Sequence, residues 1–241
     1  MTFAFAARAL CPKLPGWMKW FLQIKTIFCL LSGANFLWAG EVPVAATPST
    51  NASFQQVAPG VFQIGAVTLN QSEQSVQFPA AVNMTNGSVE YFIVTGTGKL
   101  HESVLKAEVD PAQIHVAMLL LGAQEASTNA ATTNISGSKF TLKLSWKNGG
   151  VEKIARGEDW VFNRATHSAM SRGDWVYNAS KVLEGTFIAH RDGSIVSIIS
   201  DPLALANNTR PGCDNDELWS VNTNAVPALN TPVAVTFKLL K

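Results

Sequence analysis

The chain is poor in cysteine, and most of what it has lies at one end. Of three cysteines in 241 residues, Cys11 and Cys29 fall within the first forty and only Cys213 lies beyond them. Once that first segment is removed a single thiol remains. This excludes an internal disulfide, even in an oxidising compartment, and any cysteine–histidine metal set. Stability must then come from the core, for which roughly 180 residues are ample. A marked excess of charge is also missing. Residues 41–241 carry 14 Lys and Arg against 17 Asp and Glu, a net of −3, so nothing in this balance points to nucleic acid or an anionic membrane as a partner. The glycine pattern of dinucleotide sites, the serine elbow of hydrolases and any internal repeat are absent as well.

What is present begins with a leader. Residues 1–40 hold Arg8, Lys13, Lys19 and Lys25 and no acid, followed by the apolar run Thr26–Ala39 and small residues at Ala39, Gly40, Ala45 and Ala46. A basic start, a short apolar stretch and small residues for cleavage read as a secretory signal peptide. The expectation is an exported protein, periplasmic or extracellular, that touches a membrane only if the leader stays uncut as an anchor. Residues 41–56, rich in Pro, Ala, Ser and Thr, read as a disordered linker, and residues 57–241 as a single domain.

The domain is organised around Val89–Ala123. Val89–Thr95 reads as a buried strand and Gly96-Thr97-Gly98 breaks it. Glu102–Val109 alternates Leu105, Ala107 and Val109 with Val104, Lys106 and Glu108, predicting a strand with one buried face. Asp110 and Pro111 open a helix that Gly122 stops. Because it is apolar nearly all round, this helix, at about residues 111–121, is expected to be buried.

Elsewhere short strands dominate. Gly60–Ile64 and Ala66–Leu69 pair around Gly65, and Ser75–Pro79 continues them. Phe140, Leu142, Leu144 and Trp146 alternate with polar residues, and Asn148-Gly149 turns that strand back through Val151–Ala155. Trp175–Tyr177, Val182–Ala189 and Ser194–Ile199 follow, the last two joined at Asp192-Gly193, and Pro232–Leu239 ends the set. The predicted fold is α+β and β-rich, with antiparallel strands, barrel- or sandwich-like, packed around one helix.

Several motifs invite a chemistry. Gly96-Thr97-Gly98-Lys99 lacks the first glycine and the hydroxyl of a phosphate loop, with Ile93 and Leu100 in those places. Ser103-Val104-Leu105-Lys106 has serine–lysine spacing, but on a strand the two residues face opposite sides. His101, Glu102 and His115 are the candidate site, because two imidazoles and a carboxylate suit a divalent metal with water as fourth ligand. Whether they meet depends on the helix folding back; otherwise His115 is a core histidine and Glu102 a loop residue. Asp214, Asp216 and Glu217 form a candidate acidic loop, in calcium-like chemistry without EF-hand spacing, or else a solvated turn anchored by Trp219. Trp160 and Trp175, each after an aspartate, are core tryptophans or a carbohydrate-stacking surface.

The runs EYFIVTGTGKLHESVL and QIHVAMLLLGA resemble the YdjY-type domain family of bacterial exported proteins. EDW at Glu158–Trp160, GDWVYNAS at Gly173–Ser180 and the stretch from Asp214 to Phe237 fit in the same order. The resemblance covers roughly Val57 to Lys238. It implies an exported domain but brings no established activity, and the cysteine-rich iron–sulfur segments of some relatives have no counterpart here. The functional expectation is a non-catalytic module that binds a ligand or protein partner, without cofactor. The alternatives are a metal-dependent enzyme using His101, Glu102 and His115, and a carbohydrate-binding module.

Overall fold

In the computed structural model, which describes residues 53–128 and 135–240, the strand Ser75–Val82 is the branch point of a twelve-stranded sheet. The leader over residues 1–40 and most of the linker lie outside the described residues. On one side Ser75–Val82 pairs with Pro232–Leu239 from Ser75↔Lys238 to Ala81↔Pro232. On the other it changes partner, pairing with Val67–Asn70 through Ser75–Gln77 and with Ser103–Ala107 through Ala80–Val82. Pro79 falls in the gap between them. A residue without an N–H is tolerated where a strand is locally unpaired.

That second partner closes the sheet. Eight strands form a ring in the order Ser75–Val82, Pro232–Leu239, Lys139–Asn148, Trp175–Tyr177, Ala206–Asn208, Ser194–Ser197, Tyr91–Thr95 and Ser103–Ala107, which pairs back to Ser75–Val82. The protein is a β-rich α+β barrel. Two pairings, Ser194–Ser197 with Ala206–Asn208 and Tyr91–Thr95 with Ser103–Ala107, are parallel. Two extensions leave the ring: an arm of Phe54–Ala58, Val61–Ile64 and Val67–Asn70, and the strand Val151–Arg156 beside Lys139–Asn148.

Alternation fills the interior. Val76, Phe78, Ala80 and Val82 point inward from one strand, Val233, Val235 and Phe237 from the next, and Phe140, Leu142 and Leu144 from the third. Phe237 sits between Phe140, at 4.4 Å between ring centroids, and Phe78, edge-on at 5.2 Å. One end of the barrel is closed by the helix Pro111–Leu120, the other by Trp160, Trp219 and a small sheet of Val161–Asn163, Ser168–Ala169 and Trp219–Val221.

The helix starts as its sequence requires. Asp110 Oδ1 accepts from the Ala112 N–H at 2.9 Å and Pro111 occupies the first turn. Its burial is one-sided, however. Ile114, Ala117 and Met118 are sealed and Leu121 nearly so, whereas Val116, Leu119 and Leu120 face outward. A helix lying across a barrel mouth buries only the stripe that faces the mouth, however apolar the rest.

Local differences have similar causes. Val104, as well as Leu105 and Ala107, is fully buried, so in Ser103–Ala107 only Lys106 keeps partial exposure. The hairpin loop is Gly149-Gly150, one residue later than Asn148-Gly149. Asn148 pairs with Val151, and both glycines take the positive φ, 56° and 83°, that such a loop demands. Val182–Ala189 is not one strand. Val182–Leu183 pairs with Thr186–Phe187, then Ile188–Asp192 is helical and ends at Gly193 with φ 70°. Ser194–Ser197 therefore pairs not with that segment but with Tyr91–Thr95 and Ala206–Asn208. Phe54–Gln56, expected within the linker, open the first strand of the arm.

Candidate functional site

His101 and His115 do not meet. His101 lies in the turn Leu100–Glu102 that enters the strand Ser103–Ala107, while His115 lies in the helix that follows the strand's other end. His101 is strongly exposed and its Nε2 is 3.6 Å from Glu102. Glu102 is occupied by Lys99 at 2.8 Å, and Lys99 also reaches Glu90 at 3.2 Å. These two carboxylates outweigh desolvation and hold the Lys99 ammonium above the usual lysine range. His115 Nδ1 is hydrogen-bonded to the Tyr177 hydroxyl at 2.6 Å and its ring packs against Phe187. Burial lowers the His115 pKa, with Glu125 opposing, and burial raises that of Tyr177. Among the described residues no three His, Cys, Asp or Glu side chains assemble as a metal cluster.

The acidic loop is a solvated turn. Asp214, Asp216 and Glu217 are exposed, and Asn215 caps the turn by accepting from the Glu217 N–H. Trp219 anchors it, donating from Nε1 to the Gly212 carbonyl at 2.9 Å. Trp160 and Trp175 are fully buried, so neither can stack on a sugar. Ser103 donates to the Lys99 carbonyl and Lys106 pairs with Glu108, each away from the other.

Three features escape the sequence reading. The first is a buried charge cluster at the barrel end opposite the helix. Glu158 has no exposure and accepts from Arg210 at 2.6 Å, Arg156 at 2.9 Å and the Gly173 N–H at 3.3 Å. Arg210 is stacked over Trp175 at 4.9 Å. Burial pulls its guanidinium below the usual range and Glu158 opposes this. The only trace in sequence is the pair of acid–tryptophan motifs, Glu158-Asp159-Trp160 and Gly173-Asp174-Trp175, which the fold stacks at one end.

The second is a trough across the outside of the barrel. Cα partners in adjacent strands point to the same face, so register defines rows. Ile154, Ser145, Ala234 and Pro79 form one row of mostly small side chains. Arg156, Lys143, Thr236, Gln77 and Thr68 form a longer, polar row beside it, and Gln77 donates to Thr236. A hollow of about 540 Å³ lies over Ser145, Ala234 and Pro79, with Thr68 and Gln77 of the polar row at one edge, and is bounded also by Ala66, Trp146, Lys147, Glu152 and Pro232. A second hollow of about 500 Å³ shares Pro79 and Ala80 and runs to Lys106 and Glu108. A third, of about 390 Å³, shares Glu108 and reaches Thr95, Thr97, Asp110 and His190. The three hollows follow one another along the surface, each sharing a lining residue with the next.

The third is in the last of these hollows, where His190 Nδ1 lies 2.9 Å from Asp110 Oδ1, the oxygen that caps the helix. The carboxylate fixes the tautomer and leaves Nε2 toward solvent. His190 falls between the two stretches read as strands, Val182–Ala189 and Ser194–Ile199, where the fold places the helix Ile188–Asp192.

A model of the YdjY domain matches residues 67–238. That span contains the ring apart from Leu239, and all three features apart from Ala66 at the edge of the trough. No curated protein and no solved structure matches the chain.

Proposed function

The chain belongs to the YdjY domain family, and from that premise we propose that it is an exported, non-catalytic binding module that holds an extended ligand along the outer trough. The observation that carries this reading is that three hollows succeed one another along one surface, linked by the shared lining residues Pro79 and Ala80 and then Glu108. A floor of Ser145, Ala234 and Pro79 lets a chain approach the sheet closely, and Thr68, Gln77, Lys147 and Glu152 offer donors and acceptors at its edges. The metal-dependent alternative needs His101, Glu102 and His115 to converge, and they stand at opposite ends of a strand.

Ala234→Trp, at the centre of the trough, tests the reading. Its indole projects outward from a partly buried position on the outer face, away from the inward-pointing Val233 and Val235. Wild type and variant are compared by calorimetry against a panel of oligosaccharides and extended peptides, with circular dichroism to confirm the fold. Loss in the variant of a ligand bound by wild type supports the trough. Binding unchanged in the variant, or no binding by any panel member, overturns it.

Export rests on the leader sequence, and the mature chain is expected to begin between Gly40 and Thr47. N-terminal sequencing of protein from its native host checks this, and an intact Met1 or Thr2 defeats it.

A further inference from the structure

We propose that the cleft between the hairpin Lys139–Asn148/Val151–Arg156 and Arg172 is an oxyanion site, so that the molecule held in the trough carries a phosphate, sulfate or carboxylate group. The carrier's identity rests on the trough reading; the anion site itself does not. The cleft, of about 340 Å³, is lined by Thr141, Lys143, Ile154, Arg156, Asp159 and Arg172. It adjoins the trough through the shared hairpin: Ile154 lines the cleft, and its Cα partner Ser145 lines the trough.

Charge is the first argument. Lys143 and Arg156 are Cα partners in an antiparallel pair, an arrangement that sets two like charges side by side and is unfavourable unless something answers it. Glu158 answers Arg156 and Arg210 together, and Asp159 answers Arg172 at 2.8 Å. Lys143 makes no ion pair among the described residues. Even with Asp174, which acts on Arg210, four cations face three carboxylates. This local excess stands in a region, residues 41–241, whose net charge is −3.

Geometry is the second. Arg156 is fixed by Glu158 through Nε and Nη2 and by the Gly173 carbonyl through Nη2. Arg172 gives Nη2 to both oxygens of Asp159. These bonds orient both planar guanidinium groups while Arg156 Nη1, Arg172 Nε and Nη1 and the Lys143 ammonium make no hydrogen bond among the described residues. Preset guanidinium donors beside an exposed ammonium match the acceptor geometry of an oxyanion. Glu158 thus serves as the buried anchor that lets one face of Arg156 be spent on structure and the other on ligand.

The test uses sodium sulfate and inorganic phosphate as probes on the folded protein, against sodium chloride at matched ionic strength. Backbone amide shifts and melting temperature are the readouts. Sulfate or phosphate should raise the melting temperature beyond chloride, with shift changes centred on Thr141–Lys143 and Arg172. Lys143→Gln, at an exposed position, should weaken this binding by at least about tenfold, and Arg172→Gln should weaken it likewise. Ala234→Trp should leave it unchanged. Wild-type protein that responds to sulfate and phosphate no more than to chloride, or binding that survives both glutamine substitutions, overturns the site. If sulfate binds as stated while Ala234→Trp affects no ligand, the anion site stands and the trough reading alone falls.

Discussion

Glu158 and Arg210 meet at 2.6 Å with the carboxylate fully sealed and the guanidinium nearly so. A pair this deep matters for what happens when one partner is removed, because the survivor is left as an uncompensated charge. The two partners are not equivalent. Glu158 also neutralises Arg156, so Glu158→Gln strands two guanidinium groups, whereas Arg210→Met leaves the carboxylate one cation and keeps an apolar side chain over Trp175. Denaturant unfolding should show a loss of about 3–5 kcal/mol for the first and a smaller one, roughly 1–3 kcal/mol, for the second. Equal losses would show that Arg156 does not share the carboxylate.

The His115–Tyr177 contact makes stability depend on pH at both extremes. Burial holds the folded-state pKa of His115 below its ordinary value, so the unfolded chain takes up the proton first on acidification. Stability is complete above about pH 6.5, the unfolded value, and falls as pH drops below it toward the folded value. Burial raises the pKa of Tyr177, so the unfolded chain ionises first above about pH 10 and stability falls again. His115→Phe should flatten the acid limb and leave the alkaline limb in place. A wild-type acid limb that is unchanged in the variant would assign it to other groups.

Much of this fold is legible in sequence where a signal is local. The Asp110-Pro111 start of the helix, the alternation from Phe140 to Trp146 and the strand Pro232–Leu239 each follow from neighbouring residues. What is not legible is partnership. Tyr91–Thr95 lies beside Ser194–Ser197, about a hundred residues on, with a register that shifts twice, and no local pattern encodes that. The one-sided burial of the helix has the same cause, since Leu120 and Met118 look alike in sequence and differ only in which faces the barrel. The candidate site fared as it did because His101 and His115 are close in the chain, while Lys143, Arg156 and Arg172 become neighbours only through a hairpin and a loop.

Gly193 and Gly149 both have positive φ, 70° and 56°, but they predict different costs. A Cβ on Gly193 would lie 2.7 Å from the Gly98 nitrogen and against the Thr95 side chain, whereas one on Gly149 meets nothing within 4 Å. Gly149→Ala should therefore cost only the left-handed backbone penalty of about 1–2 kcal/mol. Gly193→Ala should cost clearly more, since the Thr95 backbone N–H donates to the Gly193 carbonyl at 2.8 Å and any shift breaks that bond too. Chemical denaturation of the two variants side by side checks the order, and a Gly193 variant no less stable than the Gly149 one would contradict it.

The helix offers the sharpest contrast between neighbours. Met118 is completely buried among the barrel residues, and Leu121 is 9% exposed. An aspartate at either position places an unpaired charge in the core, among the costliest single changes known. Met118→Asp and Leu121→Asp should yield no folded barrel. Leu120 is 47% exposed and Val116 42%, so Leu120→Lys or Val116→Lys removes no core contact. At Leu120 the added cation also lies near the helix C-terminus, where positive charge is favoured. Both lysine variants should stay within about 0.5 kcal/mol of wild type, measured by thermal and denaturant unfolding. A large loss in the lysine variants, or a native melting temperature for Met118→Asp, would mean that the helix turns a different face to the barrel.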